Sequence, residues 1–296
     1  MYAHVLPLLK YRFSLYGQLA RVDKPIGTLL LLWPTLWALW MAADGFPDLP
    51  RLIVFALGTW LMRSAGCVLN DIADRKFDHQ VKRTRGRALT SGKVFLWEAI
   101  MLALVLLALA ASLLFFLNDL AVQYAFTAVF VAVLYPYFKR FFAIPQAILG
   151  IAFGHGILMA FADTTGQIPL VAWVMFIGNI FWAISYDTAY AMVDRDDDLK
   201  LGLRSSAITF GRFDVIAIAI CYALFMWCMM MVGQSLPGSA LSNWLYWLAW
   251  GGAAIVCLVL TLRTRSRNRD DCFKVFLANN WVGGILFIGI ALQLGF

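Results

Sequence analysis

Three observations predict an all-α membrane protein: nine transmembrane helices in a single bundle. The chain is 62% hydrophobic and only 14% charged, where a soluble domain carries roughly a quarter charged residues. Apolar runs of about 18 residues or more, long enough to cross a bilayer as helices, recur along its 296 residues. Its Lys and Arg residues gather on alternate loops, the asymmetry that orients a polytopic chain. Residues 1–296 are therefore read as one integral-membrane domain.

Residues 1–25 contain Lys10, Arg12, Arg21, Asp23 and Lys24 without an uninterrupted apolar core, so they do not read as a cleaved signal peptide. Val5–Ala20 predicts a short amphipathic helix at the interface. The spans follow as Ile26–Ala43, Leu52–Leu69, Val94–Leu117, Leu120–Tyr135, Phe141–Phe161, Ile168–Tyr186, Val215–Val232, Trp244–Leu262 and Val275–Phe296. Every Lys and Arg except Arg51 and Arg63 falls at the N-terminus or in the loops after spans two, four, six and eight. That side is expected to be cytoplasmic, with Asp44, Asp48, Asp119 and Asp163 opposite. The net charge of +7 is then an orientation signal, and no nucleic acid is implied. The five cysteines form no Cys-x-x-Cys pair and read as packing residues.

Glu98 is the sole glutamate; every other acid is Asp. Two Asp clusters stand on the cytoplasmic side, each following an apolar run. Asn70, Asp74 and Asp78 are spaced to line one face if the second span continues as a helix. Asp187, Asp194 and Asp198 form a matching stripe after the sixth span. Asp71, Asp196 and Asp197 point elsewhere, toward solvent. Asp74-x-x-x-Asp78 and Asp194-x-x-x-Asp198 share their spacing, and each precedes a basic loop. This faint repeat suggests two four-helix units plus one helix, with a site between the units. One cluster alone reads equally well as helix caps. Two on one face point to a divalent cation, and Mg²⁺ takes one or two carboxylates plus substrate phosphates.

Basic segments accompany the clusters: Lys82-Arg83-Thr84-Arg85-Gly86-Arg87, Lys200 and Arg204, and Lys139-Arg140 at the end of the fourth span. Cations beside metal-bearing carboxylates suit a polyphosphate, although any cytoplasmic loop carries such charges. Lys139-Arg140 is the pair best placed for function. Arg63 stands inside a span, where a charge is costly and marks function. It lies two turns before Asn70, about 10 Å deeper at 1.5 Å per residue. An aromatic acid fits between them, its carboxylate on Arg63. The opposing reading is an internal ion pair. His155, Asn179, Asn279 and Asn280 read as packing residues, and Gly150-x-x-x-Gly154 as a close helix contact.

These residues resemble the UbiA superfamily of intramembrane aromatic prenyltransferases. Asn70-Asp71-x-x-Asp74-x-x-x-Asp78 matches its first motif, and Asp187 to Lys200 its second. Tyr135-Pro-Tyr-Phe-Lys139-Arg140 is present too. Arg21-Val-Asp-Lys-Pro-Ile-Gly27 and Trp33-Pro-Thr-Leu-Trp37 are similar to the branch that prenylates 4-hydroxybenzoate. Arg87-Ala-Leu stands where that pattern has Arg-Pro-Leu. The resemblance covers nearly the whole chain. It implies transfer of a polyprenyl group from polyprenyl diphosphate to the carbon ortho to the hydroxyl of 4-hydroxybenzoate, in ubiquinone synthesis at the bacterial inner membrane. Mg²⁺ would sit on Asn70, Asp74, Asp78, Asp187, Asp194 and Asp198. Lys139, Arg140 and Arg204 would neutralise the leaving group, and Arg63 would fix the acid. Dihydroxynaphthoate or haem as acceptor is the alternative within the superfamily, and a transporter the alternative outside it. No obligate protein partner is implied.

Overall fold

Within a bilayer each backbone N–H and C=O must be bonded inside its own segment, so the apolar runs fold as helices. The structure, a computed structural model, describes residues 2–80, 83–239 and 241–295. Lys82 of the basic segment and Phe296 of the ninth predicted span lie outside the described residues. Helix α1 (Tyr2–Leu19) leads into α2 (Ile26–Ala43), α3 (Leu49–Asp78), α4 (Leu96–Ser112), α5 (Asp119–Phe138), α6 (Pro145–Thr165) and α7 (Leu170–Leu201). A short α8 (Ser206–Phe210) precedes α9 (Asp214–Gln234), α10 (Trp244–Thr264) and α11 (Arg269–Leu294). Among the described residues, nine helices are long and apolar enough to cross a membrane.

Where helix ends depart from the predicted spans, the cause is local. Pro145 occupies the first turn of α6, where its missing N–H costs nothing, so Phe141–Ile144 stays outside the helix. Helix α11 starts earlier than predicted, at Arg269, because Asn268 caps it: its side chain accepts from Asp270 N at 2.9 Å. Helices α3 and α7 continue past their apolar runs to Asp78 and Leu201. This continuation carries both Asp stripes on rigid helix.

Two apolar cores hold the bundle. The larger joins α2, α6, α7, α9, α10 and α11 around Trp37, Trp182 and Phe225, all wholly buried. Trp182 stacks on Phe225 with centroids 5.6 Å apart. Gly150 lets α6 approach α7, since a Cβ there would stand 2.8 Å from the Ile180 Cα. The buried asparagines act as polar bonds between helices: Asn179 donates to Gly150 O at 2.9 Å, and Asn279 accepts from Trp182 Nε1 and Tyr222 OH. The smaller core joins α1, α3 and α4 through Leu15, Leu19, Leu61, Val68 and Leu106. Between the two cores lies a cavity of about 1360 Å³, walled by α2, α3, α4, α5, α6, α7 and α11.

Candidate active site

Helix α3 delivers Asn70, Asp74 and Asp78 to this cavity, and α7 delivers Asp187, Asp194 and Asp198; all six line it. The spacing that predicts two stripes is realised because both helices stay unbroken through them. Three of the carboxylates rest on cations. Asp74 Oδ2 lies 3.5 Å from Lys139 Nζ. Asp78 Oδ2 accepts from Arg87 Nη1 at 2.8 Å. Asp194 pairs with Arg83, whose Nε lies 3.1 Å from Oδ1, and that guanidinium also sits over the Tyr190 ring at 4.8 Å.

Lys139 is one of the cations that line this cavity. Burial works against its charge, but the carboxylates of Asp74, Asp187 and Asp198 outweigh burial and hold its pKa above the ordinary lysine value. It is therefore an ammonium at any physiological pH. Arg204 lines the cavity too. Its backbone N–H donates to Lys139 O at 2.8 Å and its Nη1 to Phe141 O at 2.9 Å, so it pins the segment that carries Lys139. Arg140 is placed otherwise. It is exposed, donates to Ala73 O at 3.2 Å and lies over the Phe77 and Tyr137 rings. Adjacent residues at a helix end point about 100° apart, so Lys139 enters the cavity and Arg140 turns to its outer side.

Two of the three acids expected to face solvent do not. Asp196 is exposed and bonds Arg269 at 3.1 Å. Asp197 is buried, 3.9 Å from Arg269 Nη1. Asp71 is wholly buried, its Oδ1 accepting from Arg21 Nη2 at 2.8 Å and Arg87 Nη1 at 2.9 Å. The helical stripe tells which way Asp71 points; it does not tell that the α1–α2 linker and the loop after α3 fold over that side. Arg21, Arg83 and Arg87 thus line the same cavity as the stripes, although the sequence alone leaves them among orientation charges.

Arg63 faces the cavity well below the Asp stripes. Among the described residues no carboxylate pairs with it; it touches Cys67 Sγ, and its Nε has no partner. Gly27 makes its place, because a Cβ there would run into the guanidinium. The Tyr186 hydroxyl, also buried and without a partner among the described residues, lines the same space beside Asp187. His155 lines it as well, with Nδ1 2.7 Å from Ile151 O. A glycine in the first turn of an apolar helix is the one sequence signal for the Arg63 niche.

The chain as a whole is similar to known proteins. The model of the UbiA prenyltransferase family matches residues 31–288. The chain belongs to that family. The 4-hydroxybenzoate octaprenyltransferase of Cupriavidus pinatubonensis is 56% identical over 280 residues, spanning 95% of this chain and 97% of the relative. That of Polynucleobacter necessarius is 57% identical over 288 residues, 97% of this chain and 99% of the relative. Among solved structures, a UbiA homologue from Aeropyrum pernix K1 superposes with a TM-score of 0.78 at 22% identity, covering 90% of this chain and 98% of that one. A homologue from Archaeoglobus fulgidus bound to GPP and Mg²⁺ gives 0.73 at 17% identity, covering 95% and 99%. These structures share the fold.

The donor set of this UbiA-family chain fits a hard divalent cation. Among the described residues, no three of its acids converge closely enough to cage an ion alone. Mg²⁺ does not need such a cage, since it keeps waters and completes its shell with phosphate oxygens. Two carboxylate stripes on opposite walls, with oxygens resting on displaceable Arg and Lys groups, suit an ion that arrives with a diphosphate.

Proposed function

We propose that this chain transfers a polyprenyl group from polyprenyl diphosphate to the ring carbon ortho to the hydroxyl of 4-hydroxybenzoate, releasing diphosphate. The observation that carries this reading is the 56–57% identity, over nearly its full length, to two 4-hydroxybenzoate octaprenyltransferases. The geometry supports it: a cationic, acid-lined mouth above an apolar cavity, with an arginine at depth that no carboxylate pairs among the described residues.

Asn70, Asp74, Asp78, Asp187, Asp194 and Asp198 would hold Mg²⁺, which when bound supplies the positive charge a diphosphate needs to leave. Lys139 and Arg204 add fixed cations at the mouth, and Arg83 is within reach of the same space. As the allylic C–O bond breaks, its electron pair departs with the diphosphate. The apolar walls keep water from the carbon left behind. Arg63 holds the carboxylate of the acceptor so that its ring faces that carbon. The ring supplies the electron pair of the new C–C bond and then passes its ortho proton to the released diphosphate, which restores aromaticity. The prenyl tail lies among apolar helices or in lipid, because nothing polar could solvate it. The inner membrane, with the mouth on the cytoplasmic side, is the proposed location.

The test is product formation in membranes carrying the protein, given labelled 4-hydroxybenzoate and a polyprenyl diphosphate. Prenylated acid is expected, lost on adding a chelator and restored by Mg²⁺. Product that persists in excess chelator would remove the metal role, and absence of product would overturn the acceptor assignment.

A further inference from the structure

The donor's tail brings it to the cavity through lipid, but the acceptor and the departing diphosphate are small anions. An ion pays heavily to enter hydrocarbon, so these anions need an aqueous path. A second cavity of about 650 Å³ adjoins the first at the end that carries the Asp stripes. Its outer walls are the last turns of α1, with Ser14, Gly17 and Gln18, and the loop at Gly86 and Ala88. Arg21, Asp23, Lys24, Asp71, Arg83 and Arg87 line both cavities. The shared wall is therefore made of charged side chains alone, and four of these six are cations.

That wall is held by contacts suited to exchange. Arg21 and Arg87 both donate to one oxygen of Asp71, at 2.8 and 2.9 Å. The other oxygen, Oδ2, is buried and has no partner among the described residues. Each guanidinium thus makes a single bond to Asp71, although its fork can bind a carboxylate or phosphate through two. An incoming anion can take Arg21 from Asp71 while Asp71 keeps Arg87, which also holds Asp78, so the wall opens without leaving a buried charge unpaired. Arg21 also holds a left-handed backbone, φ 58°, a conformation costly for a side chain other than glycine and kept where the surroundings impose it. The linker is bent so that this guanidinium reaches α3.

Resting on the proposed reaction, we infer that the smaller cavity is the doorway for water-soluble anions, and that Arg21, Asp71 and Arg87 form its latch. The aromatic acid enters through it and diphosphate leaves through it, separately from the lipid route of the donor.

Gly86 and Gly17 both face the smaller cavity, and a Cβ at either meets nothing within 4 Å. All five native cysteines are buried. Gly86→Cys and Gly17→Cys can therefore be labelled with a polymer-bearing maleimide, and Arg265→Cys, exposed and outside both cavities, serves as control. Two readouts are needed in the full-length protein with Mg²⁺: steady-state turnover, and the association rate of inorganic diphosphate followed by tryptophan fluorescence. Labelling either glycine variant is expected to slow both roughly tenfold, as plugging a gate does, while labelled Arg265→Cys keeps both. Protein loaded with the acid before labelling should still complete one turnover when donor is added. Complete labelling that leaves diphosphate association unchanged would overturn the doorway. If the unlabelled protein forms no prenylated acid, the acceptor assignment fails, and the diphosphate rates still decide the doorway.

Discussion

Arg63 and Asp71 are both charges placed where solvent is scarce, and their partners separate their roles. Arg63 has no carboxylate among the described residues and stands in a niche that Gly27 keeps open. A charge-assisted hydrogen bond contributes about 1.5–3 kcal/mol, so Arg63→Ala should raise the KM for the aromatic acid roughly ten- to hundredfold and leave the donor's KM unchanged. Initial rates with each substrate varied in turn separate the two. A loss confined to the donor would place the acid elsewhere. Asp71 is instead held by two arginines. Removing one member of a buried ion pair costs about 3 kcal/mol or more, so Asp71→Ala should lower the thermal unfolding midpoint in detergent even without substrate. An unchanged midpoint would mean that Arg21 and Arg87 find other partners. Periodicity makes the six stripe residues and Arg63 legible in the sequence. It does not reveal Arg21, Arg83 and Arg87, because a loop arginine that reaches a buried acid looks the same in sequence as one that orients the chain.

Helices α3 and α7 carry the site because each outruns its apolar segment, and their polar ends need holding. The end of α7 is clamped by its neighbours. Asp214, wholly buried at the start of α9, accepts from Arg267 Nη2 at 2.7 Å and from Arg195 Nη1 at 3.3 Å. Arg269, the first residue of α11, reaches Asp196. The side chains that flank Asp194 and Asp198 on α7 are thereby tied to α9 and α11. Asp214→Ala frees two arginines that are partly exposed, which limits the cost to about 1–3 kcal/mol. The expected signature is faster hydrogen exchange over residues 194–201 with a lower kcat. Unchanged exchange there would show that the clamp does not position the stripe. Hydropathy locates both helices and ends them early, because it marks the bilayer and not the helix. It starts the fifth span too soon at Phe141 for the same reason: apolar residues at an interface need not be helical, and Pro145 decides where the helix begins.

Across the whole molecule, one end of the bundle bears the acids, the cations, the mouth of the larger cavity and the smaller cavity beside it. The opposite end is closed by a different set of charges: Arg51 Nε bonds Asp163 Oδ2 at 2.6 Å, and Asp163 Oδ1 accepts from Asn118 N at 2.9 Å. These contacts tie α3, α5 and α6 together away from the site. If each of the nine helices that, among the described residues, are long and apolar enough to cross a membrane does cross it, the two chain ends lie on opposite sides, so the charge asymmetry makes one claim about both. If the Lys- and Arg-rich end is cytoplasmic, the segment after α11 is periplasmic. Alkaline phosphatase fused after Phe296 should then be active in cells, and a fluorescent protein fused there should stay dark. The same phosphatase placed in the α10–α11 connection, near Arg265, should be inactive. The reverse pattern would turn the bundle over and put both Asp stripes outside the cell, where neither the acid nor the diphosphate could use the doorway from the cytoplasm.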